Sequence, residues 1–211
     1  MARIKNGILG AFSGKVGSVV GVSYRNGIYL RSLPATTKTE PTVKQLASRA
    51  RFKFFNAWRN PLSPFFAITF QNQTETFSAQ NAAHSFNKGA VTGDYPDFKL
   101  DFQKIVISQG DLPPVLELKM EQVVTDGLRF TWLPNLLDKA KATDLLALLI
   151  CYEDDVQVID SATNGAERIA GTYDFILSGV GKGKVGHVYA TFIANDRKKA
   201  ANSVYLGEVR F

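Results

Sequence analysis

Cysteine is almost missing from this chain of 211 residues: Cys151 stands alone, which excludes an intramolecular disulfide and any thiolate metal cluster. Histidine is nearly as scarce, with only His84 and His187, far apart in sequence. A triad of either with Cys151 would need an exposed thiol, yet Cys151 falls in the most apolar stretch of the chain, where a cysteine is inert. No apolar run approaches the roughly 18–20 residues of a membrane-spanning helix. The short apolar stretch from Ile8 to Phe12 is broken by Gly10 and stopped by Ser13 and Lys15, too short for a signal peptide. Acidic residues are missing from one end. Residues 1–60 hold eleven Lys or Arg against the single acid Glu40, a net +10, and the remaining residues carry −4. The basic end is therefore a candidate surface for a polyanion, for an acidic protein partner or for the acidic part of a second copy.

What is present begins with glycine. Gly7, Gly10, Gly14, Gly17, Gly21 and Gly27 alternate with Val16, Val19, Val20 and Val22, so strand propensity runs between the glycines. Lys15 to Tyr24 reads as one strand, Asn26-Gly27 as a tight hairpin turn, and Ile28 to Leu33 as the returning strand. Gly17 and Gly21 then mark a bulge or the close approach of another backbone.

Thr42 and Gln45 fit a capping box that opens a helix. Val43, Leu46, Ala47, Ala50, Phe54, Ala57 and Trp58 share an arc of roughly 120°, the stripe expected to face a core. Phe52 and Phe55 lie outside it among Arg49, Arg51, Lys53 and Arg59, a second, basic and aromatic face. Pro61 and Pro64 are expected to end the helix. Farther on, Ala79 to Lys88 predicts a short helix closing at Gly89, and Phe98 to Ser108 predicts a strand. Pro113-Pro114 marks a boundary, after which the pattern is all-β. Leu128, Phe130 and Trp132 alternate onto one face, and Asp144 to Tyr152 is apolar enough for a strand covered on both sides. The expected fold is mainly β: a glycine-rich hairpin with one amphipathic helix (1–64), a mixed connection (65–114) and an immunoglobulin-like sandwich (115–211) with Trp132 in its core.

The motifs for chemistry fail. Gly10-Ala11-Phe12-Ser13-Gly14-Lys15-Val16 has three residues between its glycines where a phosphate loop has four, and Val16 stands where magnesium needs a hydroxyl. Gly181-Lys182-Gly183-Lys184 reads as a solvated turn. The acidic turn Glu153-Asp154-Asp155 lacks the spacing of a calcium loop. No catalytic residue, metal ligand, cofactor or small-molecule substrate is assigned. The expected role is a non-enzymatic structural or interaction protein, an assembly subunit docking on a protein partner or on its own copies. Its contacts would come from Lys15, Gly17, Gly21, Tyr24, Arg25 and Arg31 of the hairpin and from Arg49, Arg51, Phe52, Phe55 and Arg59 of the helix. The alternative is nucleic-acid binding by the same basic residues, with phosphate contacts and stacking on Phe52 and Phe55.

Four blocks, ARIKNGILGAFSGKVGSVVGVSYRNGIYLRSLP (2–34), PTVKQLASRARF (41–52), TGDYPDF (92–98) and HVYATFIANDRKKAANSVYLGEV (187–209), resemble in order an uncharacterised family of the Bacteroidota, a domain of unknown function. The Gly-Val-Gly strand with Pro41-Thr42, Gln45, Arg49 and Trp58 is also similar to the openings of phage-encoded proteins, which implies a virion or other assembly part. The C-terminal part resembles a fibronectin type III or immunoglobulin-like module, which implies the sandwich architecture alone. The implied location is the cytoplasm, or the virion if the gene is phage-borne.

Overall fold

The computed structural model describes residues 3–4, 12–24, 27–35, 40–73, 77–123, 127–136, 139–153, 159–179 and 183–211. The chain divides into two compact units, Met1–Thr42 and Val43–Phe211.

In the first unit β1 (Arg3–Ile4), β2 (Phe12–Val16), β3 (Val19–Tyr24) and β4 (Gly27–Ser32) form an antiparallel ribbon in that order. The single strand expected over 15–24 is two strands. Gly17 takes φ +55°, a conformation that side chains resist, and with Ser18 turns the chain back on itself. Tyr24 pairs with Gly27, so Gly27 belongs to the returning strand and not to the expected Asn26-Gly27 turn; Arg25 and Asn26 lie outside the described residues.

The second unit starts with α1 (Val43–Arg59), which begins directly after Thr42. Pro64 does not merely end a helix; it sits in the first turn of α2 (Ser63–Thr69), where its missing N–H costs nothing. Next comes α3 (Ala79–Asn87), capped by Ser78, whose Oγ accepts from the Asn81 amide at 3.2 Å. The small ribbon of β5 (Val91–Thr92) and β6 (Lys99–Leu100) follows. The strand expected over 98–108 is confined to β6. Beyond it the backbone is paired by side chains: Asn87 accepts from the Val106 amide and donates to the Val106 carbonyl at 2.7 and 2.8 Å, and Ser108 Oγ donates to the Ala201 carbonyl at 2.6 Å.

Seven strands complete the fold: β7 (Leu116–Val123), β8 (Gly127–Leu133), β9 (Leu145–Tyr152), β10 (Ile159–Ala162), β11 (Thr172–Ile176), β12 (Val185–Ile193) and β13 (Val204–Arg210). They form two antiparallel sheets, β10-β9-β12-β13 and β11-β8-β7. Leu146, Leu148, Ile150 and Tyr152 from β9 and Val188, Ala190 and Phe192 from β12 meet Leu128, Phe130 and Trp132 of β8 in one core. This is a β-sandwich, and Trp132 is in its core as expected.

The alternate residues of the same strands, Ala147, Leu149, Cys151, Tyr189 and Ile193, enter a second core against Phe55, Trp58, Leu62, Phe66 and Phe70 of the helical layer. The four-stranded sheet is thus covered on both faces, as the apolar run of β9 predicts. It also moves the expected boundary from residue 64 to 42, because α1 is built into the same body as the sandwich. Arg168 ties the two sheets to the Pro113-Pro114 corner. Its guanidinium is buried 3.9 Å over the Phe192 ring, pairs with Asp144 at 3.2 Å and donates to the Pro113 carbonyl at 3.0 Å. Its own carbonyl accepts from the Trp132 indole at 2.8 Å. No helix among the described residues is long and apolar enough to cross a membrane.

Candidate partner-binding surface

Among the described residues of the ribbon only one is buried. All six residues of β4 are exposed, including Ile28, Tyr29 and Leu30, and Val16 and Leu33 are exposed beside them. Gly21 is buried, because a Cβ there would collide with the carbonyl of Phe12. The close backbone approach read from the glycine spacing therefore exists at Gly21, and the approaching strand is the chain's own β2. Gly17 has open space around it and serves the turn instead. Lys15 and Arg31 are exposed, Tyr24 is described by its backbone alone, and Arg25 lies outside the described residues.

Helix α1 buries the C-terminal part of the stripe its periodicity predicts, together with Phe55 from outside that stripe. Phe55 and Trp58 are its buried residues, whereas Val43 and Leu46 of the expected core stripe are exposed. The two large rings decide the outcome, since each removes far more apolar area from water than Val43 or an alanine does. Phe55 is thereby removed from the contact surface assigned to it: it is a core residue. Phe52 stays on the surface, 57% exposed, next to the exposed Arg49. Arg51 spends its guanidinium on the carbonyl of Val91 at 2.6 Å, and Arg59 donates to the carbonyl of Gln80 at 3.3 Å.

Phe52, Phe55 and Arg51 line a cavity of about 380 Å³ with Ser48, His84, Lys88 and Val91. The His84 ring lies 5.5 Å from Phe52 and edge-on to Phe55 at 4.9 Å. Burial, followed by the charges of Arg59 and Lys88, holds the His84 imidazole below its ordinary pKa. The cavity is accordingly cationic by way of Lys88 and Arg51 and aromatic on one wall. His84 was placed on a helix by the sequence, but nothing local in the sequence joins it to α1; only the packing of α3 on that helix does so.

A second cluster escaped the sequence reading altogether. Strand alternation puts His187 on one face with Tyr189 and Thr191, a polar set suited to an outer face, yet the helical layer covers it and His187 is 5% exposed. The Phe102 ring stacks on the imidazole at 4.1 Å and 5°. Nδ1 is 2.8 Å from the Tyr205 hydroxyl, and Nε2 is 2.8 Å from Oε1 of Glu153, the first residue of the acidic turn. Glu208 is directly across the sheet from His187. The only hint of this grouping in the sequence is that residues 151, 153 and 187 take the same parity once β9 and β12 are aligned.

Comparison with known proteins adds little beyond the family. No curated protein matches the chain. A solved structure, the solution structure of the fibronectin type III domain of human collagen alpha-1(XX) chain, is similar at 14% identity and a TM-score of 0.34, covering 45% of this chain and 81% of that one. A model described as a family of unknown function (DUF6266) matches residues 11–207, and the chain belongs to that family.

Proposed function

We propose that this chain is a non-enzymatic structural or interaction protein, a subunit of a virion-like or filament-like assembly that docks on another chain or on its own copies through its N-terminal ribbon. The observation that carries this reading is the exposure of β4 over its whole length together with Val16 and Leu33. Among its described residues the ribbon buries only Gly21, and strands of this kind become stable when an apolar face is covered. A β-strand with Ile28 and Leu30 in water is also an aggregation hazard unless another surface takes it. The charge supports the same reading. A +10 end and a −4 remainder attract one another between copies, in a manner that salt weakens.

The polyanion reading retains Lys15, Arg31, Arg49 and Phe52 but loses Phe55 to the core, and Arg51 and Arg59 are tied to backbone carbonyls. Light scattering of the purified protein over a concentration series tests the proposal, with Leu30→Lys as the comparison. Assembly that grows with concentration and is lost in Leu30→Lys is the expected result. A wild-type protein that stays monomeric throughout would falsify self-docking, and binding to random DNA or RNA that falls steeply with salt would favour the alternative.

A further inference from the structure

We infer that Glu153, His187 and Glu208 form a binding site for one divalent transition-metal ion, of the zinc class, on the covered face of the four-stranded sheet. One donor atom from each of the three residues lies within 4.8 Å of the other two, so small side-chain movements suffice to bring all three onto one ion at ordinary bond lengths of roughly 2.0–2.2 Å. An imidazole with two carboxylates suits zinc, manganese, cobalt or nickel rather than a soft thiophilic ion.

The backbone is arranged to gather these groups. Residues 205 and 208 are three apart, and in a regular strand they would face opposite sides of the sheet. The ladder between β12 and β13 slips between Val188 and Tyr189, and Gly207 takes φ +104° there. This bulge brings both Tyr205 and Glu208 to the face that carries His187, pairing 208 with 187 and 205 with 189. Glu153 reaches the same face from the end of β9, where its amide donates to the Val185 carbonyl at 3.1 Å.

The surroundings suit a ligand histidine. Phe102 covers the flat of the imidazole and leaves its nitrogens, which lie in the ring plane, facing their partners. With a metal on Nε2, Nδ1–H donates to the Tyr205 hydroxyl, an outer partner that fixes the tautomer and the ring orientation. Among the described residues no lysine or arginine is paired with either carboxylate, so a dication would neutralise both. Glu153 also lines a cavity of about 370 Å³ with Phe54, Phe98, Lys99, Leu100 and Phe102, which gives an ion a route in and room for a water on its open coordination position.

The test uses the full chain, free of any affinity tag and stripped with chelator, titrated with Zn²⁺ by calorimetry and with Co²⁺ by visible absorption. One saturable site is expected, with the Co²⁺ spectrum of nitrogen and oxygen donors. Glu208→Gln replaces an exposed carboxylate with a near-isostere, so its thermal melting without metal should match wild type while its affinity falls roughly tenfold or more. His187→Gln should abolish the site, and His84→Gln should leave it intact. The inference is overturned if wild type shows no saturable binding, if Glu208→Gln binds as tightly as wild type, or if the bound ion is lost in His84→Gln.

Discussion

Cys151 shows how a single side chain takes its chemistry from the layers around it. Its Sγ lies in the core between the sheet and the helical layer, and burial pushes the thiol up to about 12 from an ordinary value of 9.0. At neutral pH the group is an inert apolar filler, and a thiol reagent should modify it no faster than the protein opens. The stability consequence has a definite sign. Above pH 9 the unfolded chain releases the thiol proton and the folded chain keeps it, so the folded state binds more protons and stability falls as pH rises from about 9 towards 12. Tyr152 and Tyr189 are pushed up by burial as well, so the wild-type loss steepens further once tyrosine begins to ionise. Denaturant midpoints measured from pH 7 to 10.5 should show Cys151→Ala losing less stability than wild type over the upper part of the range. Parallel curves would show that the thiol ionises in the folded chain as readily as in the unfolded one.

The two phenylalanines that the sequence pattern puts on one basic face of α1 have opposite fates in the fold. Phe55 is 2% exposed and touches Trp58 and His84; Phe52 is 57% exposed. Phe55→Ala should cost about 3–5 kcal/mol, the usual range for removing a buried aromatic ring. Phe52→Ala should change stability by no more than about 0.5 kcal/mol while weakening whatever docks on that face. Equal losses in chemical denaturation would mean that the face of α1 is misassigned. The helix itself was legible, as were α3, the alternation of β8 and the double coverage of β9, since each rests on periodicity within its own segment. The stripe of α1 was legible at its C-terminal end, where Trp58 is buried and Phe54 packs on the core, but that Phe55 joins them while Val43 and Leu46 stay exposed was not, because it depends on what packs against the helix. The strand predicted over 98–108 stops at β6 for a related reason. The alternation of residues 101–108 resembles a strand, but Asn87, Ser203 and Tyr189, distant in sequence, supply the hydrogen bonds that a neighbouring strand would have made. The His187 cluster was hidden in the same way, since it depends on strand register and on a bulge at Gly207 that no local pattern announces.

At the scale of the whole second unit, the decisive feature is that one sheet serves two cores. Removing the helical layer would expose Ala147, Leu149, Cys151, Tyr189 and Ile193, and removing the three-stranded sheet would expose the alternate residues of the same strands. Hydrogen bonds also cross between the layers: the Tyr189 hydroxyl donates to the Phe102 carbonyl at 2.6 Å, and the Ala200 amide donates to the Asn72 side chain at 2.8 Å. Neither layer has a core independent of β9 and β12, so residues 43–211 should unfold as one cooperative body even though their elements look like a helical segment followed by a sandwich. The chain carries its own reporters, for its two tryptophans are divided between the cores, Trp58 in the helical one and Trp132 in the sandwich. Trp132→Phe leaves fluorescence from the helical core alone, and Trp58→Phe leaves it from the sandwich alone. In each variant the fluorescence transition in denaturant should coincide with the loss of far-ultraviolet circular dichroism from the whole unit. If the Trp58 signal were lost at a lower denaturant concentration than the strand signal of the same variant, the helical layer would be an appended domain, and the boundary before the sandwich would return to Pro113-Pro114.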